Sequence, residues 1–252
     1  MPRIIVAGNW KMHKTAAETR AFFDAFLPRA TAVPEGVTIV VAPPFTALAS
    51  ASESLVAQSR VSLGAQTMHW ETSGAFTGEI SAPMLLEFGV THVILGHSER
   101  RMYCNELDAA VNLKVKAALA HGLTPIVAVG ESLAERQADA TDERVTTQTR
   151  AALEGLSSAD IARVALAYEP IWAIGTGHNC DPAEANRVMG VMRACVDGLA
   201  AVPILYGGSM NSGNAATYLA QANINGGLVG GASLDANGFV ELIGRVIGSL
   251  NA

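Results

Sequence analysis

Cysteine is scarce in this chain of 252 residues. There are three, Cys104, Cys180 and Cys195, odd in number, far apart and in no metal-like spacing. That excludes a disulfide-stapled scaffold and predicts reduced thiols in a reducing compartment. Basic residues are also few: 17 Lys and Arg against 23 Asp and Glu give a net charge of −6, with no long basic run. Neither nucleic acid nor an anionic membrane is therefore an expected partner. A small anionic ligand is not excluded, because a few local donors override the mean field. No apolar stretch approaches a membrane span, and the run in "MPRIIVAGNWKMHK" is too short for a signal peptide. A soluble, cytoplasmic protein is expected. No linker or low-complexity stretch divides the chain, so residues 1–252 are expected to form one domain.

What is present is apolar and periodic. Half of the residues are hydrophobic, enough for a large core. Short β-branched runs recur: "RIIVAGNW", "VTIVVAP", "RVSLGAQ", "VTHVILGH", "LTPIVAVG", "ARVALAYE", "PILYGGS" and "GGLVGGAS". They are apolar on both parities, as strands buried on both faces of a parallel sheet must be. Helical segments lie between them. Thr15 and Glu18 have capping-box spacing, Asn105 is placed to cap "ELDAAVNLKVKAALAHG" with Gly122 ending it, and Asp181-Pro182 opens "AEANRVMGVMRACVDGLA". Eight strands alternating with about eight helices predict an α/β fold of (β/α)₈ barrel type. A doubly wound sheet would carry a glycine-rich fingerprint after the first strand, and "GNWKMHK" has none.

In such a barrel the active site lies at the C-terminal ends of the strands. The polar residues that end the apolar runs are Asn9-Trp10-Lys11, Gly96-His97-Ser98-Glu99, Glu169, Gly207-Gly208-Ser209 and Gly230-Gly231. A lysine, a histidine and a glutamate are thus expected at one mouth. Glu169 is the most pointed of the three. It ends the apolar strand of "VALAYEPIWAIGTG", and a rigid-then-flexible segment follows it, which reads as a flap with the acid at its hinge. The glycine turns predict an anion site, because successive backbone N–H groups and helix N-termini suit phosphate, and the seventh and eighth strands are its usual place. "GGASLD" is expected to begin a short extra helix there.

"GNWKM", "GHSERR", "YEPIWAIGTG", "YGGS" and "GGASL" together resemble the motif set of the triosephosphate isomerase family, in its order and spacing and over nearly the whole chain. The resemblance implies interconversion of dihydroxyacetone phosphate and glyceraldehyde 3-phosphate through an enediolate, with a small phosphorylated triose as substrate and no cofactor or metal. It implies that Glu169 is the base, His97 the electrophile at the carbonyl oxygen, and Lys11 the electrostatic partner of the enediolate and phosphate. Asn9, Gly175, Ser209, Gly230 and Gly231 match substrate-contacting positions. The helical turn expected over "SERRMY" would lower the pKa of His97 and keep it neutral. Another phosphate-binding barrel enzyme, a sugar-phosphate lyase or epimerase, shares the glycine turns but not this Lys, His and Glu placement. A non-catalytic barrel binding phosphometabolites would not need the triad.

The chain also departs from the family pattern. His178-Asn179-Cys180 stands where lysine is usual in the far hinge of the flap, Ala128 where cysteine is frequent, and Thr67 where asparagine is common after Gln66. The long loop "QTMHWETSGAFTGEIS" is the segment that meets a second subunit in the family, which implies a homodimer. The other histidines, His13, His69, His92, His121 and His178, have no ligand-like spacing and read as surface or packing residues.

Overall fold

Strands that are covered on both faces need apolar side chains at every position, and the eight runs supply them. A computed structural model describes residues 3–30, 33–34, 36–55, 60–174 and 179–250. Each run forms a strand: β1 (Ile4–Asn9), β2 (Val37–Ala42), β3 (Val61–Ala65), β4 (Val90–Leu95), β5 (Thr124–Val129), β6 (Ala165–Tyr168), β7 (Ile204–Tyr206) and β8 (Gly226–Val229). Every neighbouring pair is parallel, and β8 returns to β1 to close an eight-stranded barrel in sequence order. The fold is the (β/α)₈ barrel that the sequence predicts.

One parity of side chains fills the barrel. This inner cluster is made of Ile5, Ala7, Val40, Ala42, Ile94, Ile126, Ala128, Ala165, Ala167, Leu205 and Leu228, all buried. Ala128 lies level with Ala167 in register, so its small side chain belongs to an alanine-rich layer. The other parity, including Val6, Ile39, Val41, Val93, Leu95 and Val127, joins the larger cluster shared with the helices. The seam between first and last strands is tied above the sheet as well: the indole Nε1 of Trp10 donates to the carbonyl of Ser233 at 3.1 Å.

Eleven α-helices surround the barrel among the described residues: α1 (Ala16–Phe26), α2 (Leu48–Ser54), α3 (Ala82–Glu87), α4 (Ser98–Tyr103), α5 (Asp108–Ala120), α6 (Leu133–Gln137), α7 (Thr141–Leu153), α8 (Ser158–Ile161), α9 (Pro182–Ala194), α10 (Ala215–Leu219) and α11 (Ala236–Leu250). The Thr15–Glu18 capping box is formed, and Asp181 caps α9 by accepting from the N–H groups of Ala183 and Glu184. Asn105 does not cap α5. The helix begins three residues later, after Leu107, because Glu106 turns inward to the core instead of entering the helix, and Asn105 takes left-handed backbone with φ of 50° to let it do so. Gly122 follows the C-terminal end of α5 as expected.

Candidate active site

Glu169 follows the last residue of β6 and is fixed by the sheet itself. Its N–H donates to the carbonyl of Val129 at 2.8 Å, continuing the β5–β6 ladder. The adjoining position on β7 has no room for a side chain: a Cβ on Gly207 would lie 2.9 Å from both Cγ of Glu169 and the carbonyl oxygen of Tyr168. The carboxylate that results is 2 % exposed. Oε2 accepts from the N–H of Ser98 at 2.8 Å, and Oε1 lies 2.9 Å from Nε2 of His97.

His97 stands two residues beyond β4 and caps α4, with its Nδ1 accepting from the N–H of Glu99 at 3.2 Å. An Nδ1 that accepts leaves the ring proton on Nε2, aimed at Glu169. Burial opposes charge on this imidazole, but the adjacent Glu169 carboxylate and its hydrogen bond outweigh burial and raise the pKa above the ordinary histidine value. This corrects the sequence-based expectation of a lowered pKa: the start of α4 is present as foreseen, and the direct contact with a carboxylate dominates it.

Lys11 stands just beyond β1 in left-handed backbone, φ 52°, a conformation that costs a non-glycine residue energy and is held by its neighbours. Its N–H donates to Oδ1 of Asn9 at 3.0 Å, and its carbonyl accepts from Nε2 of Gln66 at 2.8 Å. The ammonium reaches Oε1 of Glu99 at 2.6 Å, and the other oxygen of Glu99 is 3.7 Å from Nδ1 of His97. Lysine, histidine and glutamate are therefore linked through Glu99 into one chain of contacts, although they come from three distant parts of the sequence.

These residues line a cavity of about 340 Å³. Asn9, Lys11, His97 and Glu169 line it together with Ser209, Gly230 and Gly231, and Gly207, Gly208, Asn211 and Ala232 complete this part of the wall. The turn after β8 becomes a short 3₁₀ helix, Gly231–Ser233, so its first N–H groups face away from the chain's own carbonyls. Among the described residues, the N–H groups of Ser209, Gly231 and Ala232 have no acceptor. A cluster of unpaired N–H donors opposite a cationic side chain suits a multiply charged anion. Seven of the eight residues that the sequence singles out share this cavity. The eighth, Gly175, lies outside the described residues with the rest of 175–178, His178 included, so the expected flap is seen only as far as Ile174, which lines the cavity.

The sequence reading gives no role to three partners, of which it names only Glu99. Glu99 holds Lys11. Glu131, after β5 and fully buried, accepts from Nε1 of Trp172 at 2.8 Å and from the hydroxyl of Tyr168 at 3.0 Å, and burial raises its pKa. Glu106 accepts from the N–H of Gly96 at 2.8 Å, directly before His97. The rule that a polar residue ending an apolar strand is suspect would have found Glu131 in "PIVAVGE"; nothing in the spacing points to Glu106.

Comparison with known proteins agrees with this architecture. A family model described as triosephosphate isomerase matches residues 4–246. A triosephosphate isomerase of Symbiobacterium thermophilum is 51% identical over 244 residues, covering 94% of each chain. Proteins of the same name from Acaryochloris marina and from a Synechocystis strain are each 49% identical over 243 residues, covering 96% of this chain and 99% and 98% of their own.

Proposed function

The chain belongs to the triosephosphate isomerase family, and from that premise we propose that it interconverts dihydroxyacetone phosphate and D-glyceraldehyde 3-phosphate by moving one proton between adjacent carbons. The observation that carries this reading is the single cavity on which a buried carboxylate, an imidazole N–H and an ammonium meet opposite a set of unpaired backbone donors. The two isomers have the same composition and no electrons are gained or lost: a C–H proton leaves one carbon for the base, where it can exchange with solvent, a proton returns to the neighbouring carbon through an enediolate, and the hydroxyl proton of the first carbon is replaced by one on the former carbonyl oxygen. It consumes no co-reactant.

Glu169 is the general base of this proposal. Its carboxylate is almost removed from water, so bulk solvent does not compete with a substrate proton for it. Without substrate its two oxygens are held by the N–H of Ser98 and by Nε2 of His97, beside the cavity that Glu169 lines, and it must release them to reach a substrate carbon. When it turns to that carbon, the contact that raises the pKa of His97 is lost. What then acts on the ring is burial, the largest influence, and the charge of Lys11, both favouring the neutral form against the smaller opposing charge of Glu99, whose N–H still occupies Nδ1. The Nε2–H is left free to donate to the carbonyl oxygen, where negative charge develops. Lys11 exchanges Glu99 for the enediolate and phosphate oxygens, Asn9 contacts the substrate from the same strand end, and the turns at Ser209, Gly230 and Gly231 hold the phosphate.

The protein acts as a homodimer in the cytoplasm on this reading. Large apolar side chains supply the support: Met12 is 94 % exposed, Tyr103 77 % and Met102 63 %, and Phe76 and Met84 are also exposed. Phe76 belongs to the loop already set apart by length, which is packed on itself through His69, stacked on Trp70 and in tilted contact with Phe76. Sedimentation at assay concentration is expected to give a species of twice the chain mass; a fully active monomer would overturn the dimer. The activity is tested by supplying dihydroxyacetone phosphate in deuterated water and following the aldose with a coupled dehydrogenase. The expected product carries solvent deuterium at the carbon next to the carbonyl. No conversion at micromolar protein would end the proposal.

A further inference from the structure

Two tyrosines stand behind the glycine turn, and no step above uses them. Tyr206 is the last residue of β7, fully buried, and leads directly into Gly207-Gly208-Ser209. The backbone at Gly208 rests on its phenol, since a Cβ there would lie 2.2 Å from the hydroxyl oxygen and 2.4 Å from the ring carbon that bears it. The position of that phenol therefore sets where Gly208 can go.

Tyr218 of α10 sets the position of the phenol in turn. It is 1 % exposed, and its ring stacks on Tyr206 with centroids 4.1 Å apart and planes 17° from parallel. Its hydroxyl is 2.6 Å from the carbonyl oxygen of Cys180, just before the N-cap of α9, and 3.2 Å from the hydroxyl of Tyr206. A phenol has one hydrogen. With that of Tyr218 directed to the carbonyl, the hydrogen between the two hydroxyls comes from Tyr206. The order is thereby fixed: Tyr206 donates to Tyr218, which donates to Cys180. Burial raises the pKa of both phenols, so both stay protonated over the working range of pH.

We infer that Tyr218 is a positioning residue for the anion-binding turn: it fixes the phenol on which Gly208 rests and ties that turn to the start of α9. The turn is thus braced from behind by a side chain that never meets the substrate. The inference rests on the proposed function only in taking the occupant of the turn to be a phosphate.

The test is Tyr218→Phe, which keeps the stacked ring and deletes the hydroxyl. Inorganic phosphate and 2-phosphoglycolate are titrated calorimetrically into the full-length protein, and steady-state kinetics are measured in parallel. Removal of the acceptor leaves the hydrogen of the buried Tyr206 hydroxyl without its partner against the turn, although that oxygen keeps a backbone contact with Cys180, and about a fivefold loss of affinity for both probes is expected, with KM rising alongside. A purely structural role would lower the melting temperature while leaving both affinities and KM within twofold, and that result would overturn the inference. Tyr206→Phe, which keeps the bond from Tyr218 to Cys180, is expected to weaken phosphate by a similar factor, and the double variant to be no weaker than about twofold below the worse single one. Multiplication of the two losses would refute the coupling. Should Tyr218→Phe not fold, Tyr206→Phe alone decides, with unchanged phosphate affinity refuting. Failure of the two readings is separable. A parent that isomerises while its variants bind phosphate unchanged defeats only this inference, a parent that binds phosphate through the brace without isomerising defeats only the proposed reaction, and a parent that binds no phosphate defeats the brace.

Discussion

Lys114→Met should destabilise the protein by about 3 kcal/mol at neutral pH. In the folded protein the ammonium of Lys114 is 2.5 Å from Oε2 of Glu106 and 3.3 Å from the hydroxyl of Thr67, and both charged side chains are 5 % exposed or less. Deleting one member of a buried pair leaves the other charge uncompensated, at a cost of about 3–5 kcal/mol. The lower end applies because Glu106 keeps Nε of Arg100 at 2.9 Å and the N–H of Gly96, and because methionine refills most of the space. At about 2–4 °C per kcal/mol for a chain of this size, the melting temperature should fall by about 6–12 °C. The pH dependence has a definite sign. Burial alone would raise the pKa of Glu106, but Lys114, Arg100 and the Gly96 N–H hold it below the ordinary carboxylate value. A depressed folded pKa contributes stability above the unfolded value, near 4.3, that is lost as pH falls through the folded one. The gap between parent and variant should therefore narrow below about pH 4.5. Adding Glu106→Gln to the variant, so that no charge is left to compensate, should recover at least half of the loss. Thermal and urea unfolding between pH 4 and 7 measure all of this. A variant that melts within 2 °C of the parent at pH 7, or a gap unchanged on acidification, would refute the reasoning.

Glu169→Asp should shorten the reach of the base by one methylene, lowering kcat by about two orders of magnitude while KM moves only a few-fold; steady-state kinetics with unchanged turnover would remove Glu169 from its assigned role. His92 provides a second pH signature. Its ring is buried on β4 with Nε2 lacking a partner among the described residues, and burial, then the charge of Arg3, lowers its pKa to about 4. The unfolded chain takes up a proton near pH 6.5 that the folded one refuses, so stability present above pH 6.5 should decline by about 3 kcal/mol as pH falls towards 4. Urea unfolding of His92→Gln should show a correspondingly flatter profile over that interval; identical slopes would contradict it.

The barrel was legible because its signal is local and redundant. Each strand announces itself by apolar residues at both parities, and eight such runs leave little choice of topology. That seven of the eight candidate residues would line one cavity was legible for the related reason that they all stand at strand ends on one side of the barrel. Electrostatics was not. The direction of the His97 shift depends on a carboxylate 72 positions away reaching 2.9 Å from its ring, a distance that no spacing encodes. The start of α5 was misplaced for a similar cause: Asn105 has cap chemistry, but Glu106 is drawn into the core by Lys114, a tertiary contact that overrides the local preference. Thr67 departs from the family pattern and proves to be the hydroxyl that accepts from that same lysine.

The seam where β1 meets β8 also governs how the protein can be made. Its two halves, Ile5 to Gly8 and Gly226 to Val229, are more than two hundred residues apart in the chain, and the Trp10–Ser233 bond repeats that pairing one layer higher. During synthesis the first strand waits with an unpaired edge while more than two hundred residues are added, and each newly finished strand offers another edge beside it. A chain cut before β8 is thus an open sheet, lacking the cavity wall at Gly230 and Gly231 and prone to join its neighbours in a crowded polysome. Activity appears only when the last strand arrives, so the ring tests the completeness of each copy before that copy can turn over any substrate.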